Sequence, residues 1–454
     1  MLQERVAELC EELEVPGVAV GVLHEGQERY ACHGVTSVEN PLPVDASTLF
    51  QFGSTGKTFV ATALLRLVEA GAIDLDAPVR TYVPELRLRD ESVADRVTVL
   101  QLLNHTAGWD GDFFEDTGGG DDALARFVER MADLHQVTPL GEIVSYNNAS
   151  LGLAGRVLEK VTGTPFERAM KELVLDPVGL GNTLFSPSDV MTRRFAVGHR
   201  RAPDGTVRVL RPWAMARSCA PMGGMSAGVT DQLAWARFHL GGGNAADGTQ
   251  VLSHELVERM RVPTAEAPGS ALGDAIGISW LLREVGGIPL VGHGGSTLGQ
   301  ESMFETVPSR GFALVALTNC DPNGPEFNEK LLRWALEAYL GLVVRDPEPE
   351  SRTPQALEEY LARYQTVADV FDVTAEDGGL VVRTTPTPEL IAQLGEDADT
   401  EEPPFPIGLL AGEGDRYIVP SGPMTGMKGF FTRDAEGHVN GLHVGGRFVP
   451  RIPG

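Results

Sequence analysis

Apolar side chains recur at helical spacing from the start of the chain. Val6, Leu9, Cys10 and Leu13 share one face of residues 2 to 14, which predicts an amphipathic helix. Val18 to His24 is compact and β-branched, Glu25-Gly26-Gln27 is a turn, and Glu28 to Val35 returns, so a strand pair follows. A second helix starts near Ser54, carries Phe59, Val60, Ala63, Leu64, Leu67 and Val68, and stops at Gly71. From about 86 to 265 the period is mainly 3.6, as in Ala123 to Leu134, Leu151 to Val161 and Gln232 to Leu240, with a Gly-rich loop at Asp110 to Asp122.

Alternation returns after 270. Ile276 to Glu284, Ile288 to Gly292, Gln300 to Val307 and Phe312 to Thr318 read as strands, and Glu326 to Leu340 as a helix. Strands at both ends with helices between them predict an α+β sandwich. One antiparallel sheet, built from N- and C-terminal strands and flanked by helices, would carry an inserted helical subdomain.

Residues 343 to 353, rich in Pro and Glu, read as a linker after a first domain of 1 to 342. Residues 354 to 454 open with a short helix, Pro354 to Tyr364. Strand candidates follow around Phe371 and at Gly379 to Thr384, Arg416 to Val419, Gly429 to Thr432, Val439 to Val444 and Arg447 to Arg451, a small β-barrel. The acidic patch Glu396, Asp397, Asp399, Glu401 and Glu402 reads as a solvated loop.

Charge changes the picture by exclusion. With 37 basic against 63 acidic residues the net charge is −26, and no basic cluster supports nucleic-acid binding. No apolar run is long enough to span a bilayer, and the acidic first residues do not resemble a secretion signal, so a cytoplasmic protein with no membrane partner is expected. Neither the cysteines nor the histidines have metal-ligand spacing, and no cofactor is implied.

Only Lys57, Lys160, Lys171, Lys330 and Lys428 are lysines; every other basic side chain is Arg, which cannot give up its proton near neutral pH. Lys57 stands three residues after Ser54, so at a helix start its ammonium lies one turn from the hydroxyl. Once desolvated, its amine can take the serine proton. The simpler alternative is an N-cap serine beside an exposed lysine. Ser145-Tyr146-Asn147-Asn148 opens a later helix and can present a phenol and an amide to one cleft; the alternative is that Asn148 caps the helix and Tyr146 packs. Gly292-His293-Gly294-Gly295-Ser296 ends a strand, where glycines let a backbone approach a ligand.

Together these three stretches resemble the serine β-lactamase and DD-peptidase superfamily, in its class C β-lactamase-like branch of esterases, D-amino-acid peptidases and amidases. Leu102 to Gly108, Gly223 to Ala227, Gly292 to Gln300 and Val315 to Asn319 agree, over about residues 1 to 342. The resemblance implies Ser54 as nucleophile, Lys57 and Tyr146 sharing the proton work, and Asn148 orienting the substrate carbonyl. Backbone N–H groups of Ser54 and Ser296 would hold the oxyanion, with His293 beside Tyr146. Where β-lactamases carry Lys and Thr for a substrate carboxylate, this chain has His293 and Gly294, which disfavours β-lactam turnover.

The implied reaction is hydrolysis of a small ester, amide or peptide through an acyl-enzyme. The alternatives are acyl transfer to an amine, as in a peptide cyclase, and a non-catalytic binding protein. A homo-oligomer is compatible with either. The last domain resembles lipocalin-like barrels appended to some peptidases of the superfamily. Its loop Ile418 to Lys428, with Met424 and Met427, is expected to reach the cleft of its own or a neighbouring subunit. Trp109, Phe113 and Phe114 are candidates for an apolar substrate wall.

Overall fold

The computed structural model describes residues 1–452 except 203, 377, 389–390, 392–402 and 423; the acidic patch at 396–402 therefore lies outside the described residues. Eight strands make the first sheet: β1 (Gly17–His24), β2 (Gln27–Gly34), β3 (Ala265–Ser270), β4 (Gly273–Ile276), β5 (Leu281–Val285), β6 (Ile288–Ser296), β7 (Glu301–Val307) and β8 (Phe312–Thr318). Their order is β2-β1-β8-β7-β6-β5-β4-β3, antiparallel throughout. The N-terminal hairpin joins the last strand, with Val18 opposite Thr318.

That closure explains why β1 and β8 are almost wholly apolar: both faces are covered. Val18, Val20, Val22, Phe312, Leu314 and Ala316 pack against α1 (Leu2–Leu13) and, later in the chain, the helix Asn323–Leu340. The alternate residues Ala19, Leu23, Ala313, Val315 and Leu317 face the opposite core, where α2 (Gly56–Glu69), α3 (Asn148–Thr162) and α4 (Val229–Leu240) contribute Phe59, Leu151 and Trp235. We call the helix Asn323–Leu340 α5.

A second set of eight strands follows: β9 (Ala362–Gln365), β10 (Asp369–Glu376), β11 (Gly379–Pro386), β12 (Phe405–Leu409), β13 (Arg416–Ile418), β14 (Lys428–Arg433), β15 (Val439–Val444) and β16 (Arg447–Pro450). Each pairs with the next, and Tyr364 of β9 bridges Arg451 after β16, closing a barrel around Tyr364, Tyr417 and Leu442.

Several expected elements differ. Ile276 to Glu284 is not one strand: Ser279, at φ 57, turns the chain between β4 and β5. The helix expected to Tyr364 ends as α-helix at Leu357, and from Ala362 the period is two, with Tyr364 buried between Arg363 and Gln365. Strands β3 and β12 were not anticipated, because Pro268 and Pro406 interrupt their patterns. No helix among the described residues is long and apolar enough to cross a membrane.

Candidate active site

Residues Gly53–Thr55 form a 3-10 turn that runs into α2. Three residues per turn eclipse side chains i and i+3, so Lys57 comes over Ser54. Lys57 Nζ lies 2.8 Å from Ser54 Oγ and 2.6 Å from the Met222 carbonyl oxygen. Gly53 allows the turn by its φ of 53, and a Cβ there would stand 2.8 Å from the Ser296 nitrogen. Gly295 is equally tight, since a Cβ would come 2.6 Å from the Ser54 nitrogen. Small residues thus bring the end of β6 and the Ser54 turn into direct contact, with the Ser54 and Ser296 backbones side by side.

Lys57 is completely buried. Burial, with the Arg447 charge adding to it, pushes its ammonium well below the usual lysine range, which favours a neutral amine. The Tyr146 phenol shares a hydrogen bond with Ser54; burial drives its pKa up, so it stays protonated. Lys57 Nζ sits 5.0 Å from the Tyr146 ring centre. Ser54 is therefore flanked by a group able to accept a proton and one able to relay it.

The loop-to-helix junction at Tyr146 is held from behind by His105. The His105 carbonyl accepts the Ser145 N–H at 2.9 Å and its Nδ1 accepts the Asn147 N–H at 3.1 Å. The two rings lie 4.3 Å apart. The structure also corrects the capping alternative. Asn147, not Asn148, caps α3, its Oδ1 accepting the Ser150 N–H at 2.9 Å. Asn148 is left with its amide directed to Asp112 Oδ1, 2.9 Å away.

His293 packs 6.1 Å from the Tyr146 ring centre and is buried. Burial and the Lys57 charge lower its pKa to about 3, so it is neutral and brings no positive charge to the end of β6. Gly294 adds no hydroxyl.

A cation does reach the site, from the barrel. The turn between β15 and β16 docks on the Tyr146 segment: the Tyr146 N–H donates to the Gly446 carbonyl at 2.9 Å, the Phe448 N–H to Ser145 Oγ at 3.1 Å, and His443 Nε2 lies 2.9 Å from the Val144 carbonyl. Arg447 then extends over the Tyr146 ring, its guanidinium carbon 5.2 Å from the centre, and forms a bidentate ion pair with Asp112. Burial alone would raise the Asp112 carboxyl, but Arg447 and the Asn148 amide outweigh it and hold it below the usual carboxylate range. Arg447 and Asp112 carry no motif; nothing in the sequence links a barrel strand to the Gly-rich loop after Trp109.

The loop expected to reach a cleft does not reach that of its own chain. Met424 and Met427 pack on the barrel's own core, and Gly426 lies against Arg333 and Asp346 on the far side of the first domain. The apolar wall is also only partly present. Trp109 belongs to the core, Phe113 packs on Phe127, and Phe114 is exposed.

Comparison with known proteins gives a consistent result. The family model described as "Beta-lactamase" matches residues 2–339. Penicillin-binding protein 4 of Amycolatopsis lactamdurans is 35% identical over 320 residues, 70% of this chain and 84% of that protein. A β-lactamase of Providencia stuartii is 30% identical over 193 residues, 42% of this chain and 48% of its own length. Among solved structures, SurE, also determined with D-Leu, superposes with a TM-score of 0.77 at 26% identity, covering 99% of this chain and 98% of its own. An octameric penicillin-binding protein homologue from Pyrococcus abyssi shares the fold, with a TM-score of 0.65 at 22% identity over 99% of both chains.

Proposed function

Since this chain belongs to the beta-lactamase family, we propose that it is a serine hydrolase that opens an ester, amide or peptide bond through an acyl-enzyme on Ser54. The observation that carries this reading is the position of Ser54 Oγ between Lys57 Nζ, at 2.8 Å, and the Tyr146 phenol. The neutral Lys57 amine takes the Ser54 proton as Oγ bonds to the substrate carbonyl carbon. The oxyanion so formed is received by the Ser54 and Ser296 N–H groups. Collapse expels the leaving group, which takes a proton through Tyr146. Water then attacks the ester by the same route in reverse and frees the acid.

The acyl side of the substrate would lie along Asn148, Asp112 and Arg447. We assign Arg447 to polar groups next to the reacting carbonyl, in place of the cation missing at His293. A substrate residue of D configuration is part of this proposal, supported by the likeness to SurE, which has been seen with D-Leu.

Acyl transfer to an amine is the second reading. An amine would meet the same acyl-enzyme as water, beneath the roof that Gly446 and Arg447 put over Tyr146. Turnover of a D-aminoacyl aryl ester, with and without an added primary amine, tests both. Free acid alone supports hydrolysis, an amide product supports transfer, and turnover that persists undiminished in a folded Ser54→Ala protein contradicts the acyl-enzyme.

A further inference from the structure

Behind the oxyanion donors lies a carboxyl group that the mechanism above does not use. Glu301 opens β7 directly opposite Ser296, the last residue of β6. Its side chain is 7% exposed and accepts the Ser296 Oγ–H at 2.7 Å. The two faces of this strand pair have separate tasks. Ser302 faces α2, where its hydroxyl donates to the Phe52 carbonyl at 2.7 Å, while Glu301 faces α5, against Gly324. Glu305, four residues further along β7 on the same face, is paired with Arg283 at 2.5 Å. Glu301 has no such cation among the described residues.

Resting on the acyl-serine reading, we propose that Glu301 is a positioning residue for the oxyanion hole: through Ser296 Oγ it fixes the turn that aims the Ser296 N–H at the reacting carbonyl. The groups packed around it explain its charge state. Thr318 on β8 and Gly324 on α5 carry no charge, the Cys320 thiol is pushed up to about 11 and stays neutral, and Asp321 is negative, with Arg200 already bound to it at 3.1 Å. Burial, with Asp321 adding to it, raises the Glu301 carboxyl to about 8. At neutral pH it is protonated and sits quietly under the turn. Above that value a buried carboxylate without a cation must draw in water, and the turn that holds Ser296 moves with it.

Among the neighbours, His293 is near 3, His105 lies well below its usual value and Tyr146 is raised, so none of them loses or gains charge there. Deprotonation of Lys57, favoured by its burial, would raise the rate with pH, opposite in sign to the fall expected from Glu301. The second-order rate of Ser54 modification by a fluorophosphonate, measured by intact mass from pH 7 to 10, reads the step directly. Wild type is expected to lose rate about tenfold per pH unit above about 8, as a single ionisation requires. Glu301→Gln keeps the shape and the acceptor but cannot ionise, so its rate stays level to pH 10 and within about threefold of wild type at pH 7. Ser296→Ala keeps the N–H but cuts the link, so it is slower at pH 7 and loses the high-pH fall as well. Superimposable profiles for wild type and Glu301→Gln, with Ser54 labelled in both, overturn this proposal alone. No labelling of wild type at any pH overturns the acyl-serine reading and this proposal with it.

Discussion

The Tyr146 N–H donates to the Gly446 carbonyl at 2.9 Å, so the segment that carries the Tyr146 phenol is hydrogen-bonded to the turn of the barrel. The barrel is thus a wall of the site. Its Arg447 bears on both charged partners there: it is ion-paired to Asp112, and its charge helps to lower Lys57.

Replacing Lys57 by Arg keeps a positive charge but removes the proton acceptor. Turnover of an aryl ester is expected to fall roughly a hundredfold to ten-thousandfold, the usual worth of a general base. A stopped assay with matched circular dichroism separates this from unfolding; a Lys57→Arg protein with normal kcat would rule out the proton-transfer role.

Arg447→Gln acts through pH. Burial and Arg447 lower Lys57, while Asp112 raises it. Removing the guanidinium leaves Asp112 unopposed, so the lysine holds its proton to higher pH. The acid limb of kcat/KM, where Lys57 must be neutral, therefore moves to higher pH. A pH profile of the variant that overlays wild type would show that the barrel arginine does not reach the base.

His105→Ala leaves the Asn147 N–H without its acceptor and the Tyr146 ring without its neighbour. Loss of one buried acceptor costs about 1–3 kcal/mol of stability, measurable by urea unfolding. Because Tyr146 loses its alignment, kcat is expected to fall more than KM rises. Unchanged kcat would make His105 a core residue only.

Penicillins and cephalosporins are expected to be poor substrates, by roughly 10- to 100-fold in kcat/KM against a matched ester, the worth of one lost charge-assisted hydrogen bond. His293 is neutral and Gly294 has no hydroxyl, so the end of β6 offers neither charge nor hydroxyl to a β-lactam carboxylate. Spectrophotometric hydrolysis of a cephalosporin at rates equal to the ester would contradict this.

The sequence made the first sheet legible because β1 and β8 are buried on both faces and read as unbroken apolar runs. Ser54 and Lys57 were legible because local helical spacing alone brings them together. Arg447, Asp112 and the Met222 carbonyl were not, because they meet only through tertiary docking and carry no local pattern. The packing of the Met424 and Met427 loop within its own chain was not legible for a related reason: adaptable apolar side chains mark a surface to be filled, and here the barrel's own core fills it.

The account stands on Ser54 as the nucleophile. Intact-mass measurement after incubation with a fluorophosphonate tests that most directly, followed by peptide mapping and repeated on Ser54→Ala. One adduct per chain at Ser54 in wild type, and none in a folded Ser54→Ala protein, is the predicted result. An unlabelled wild type, or a variant labelled at the same rate, would contradict it.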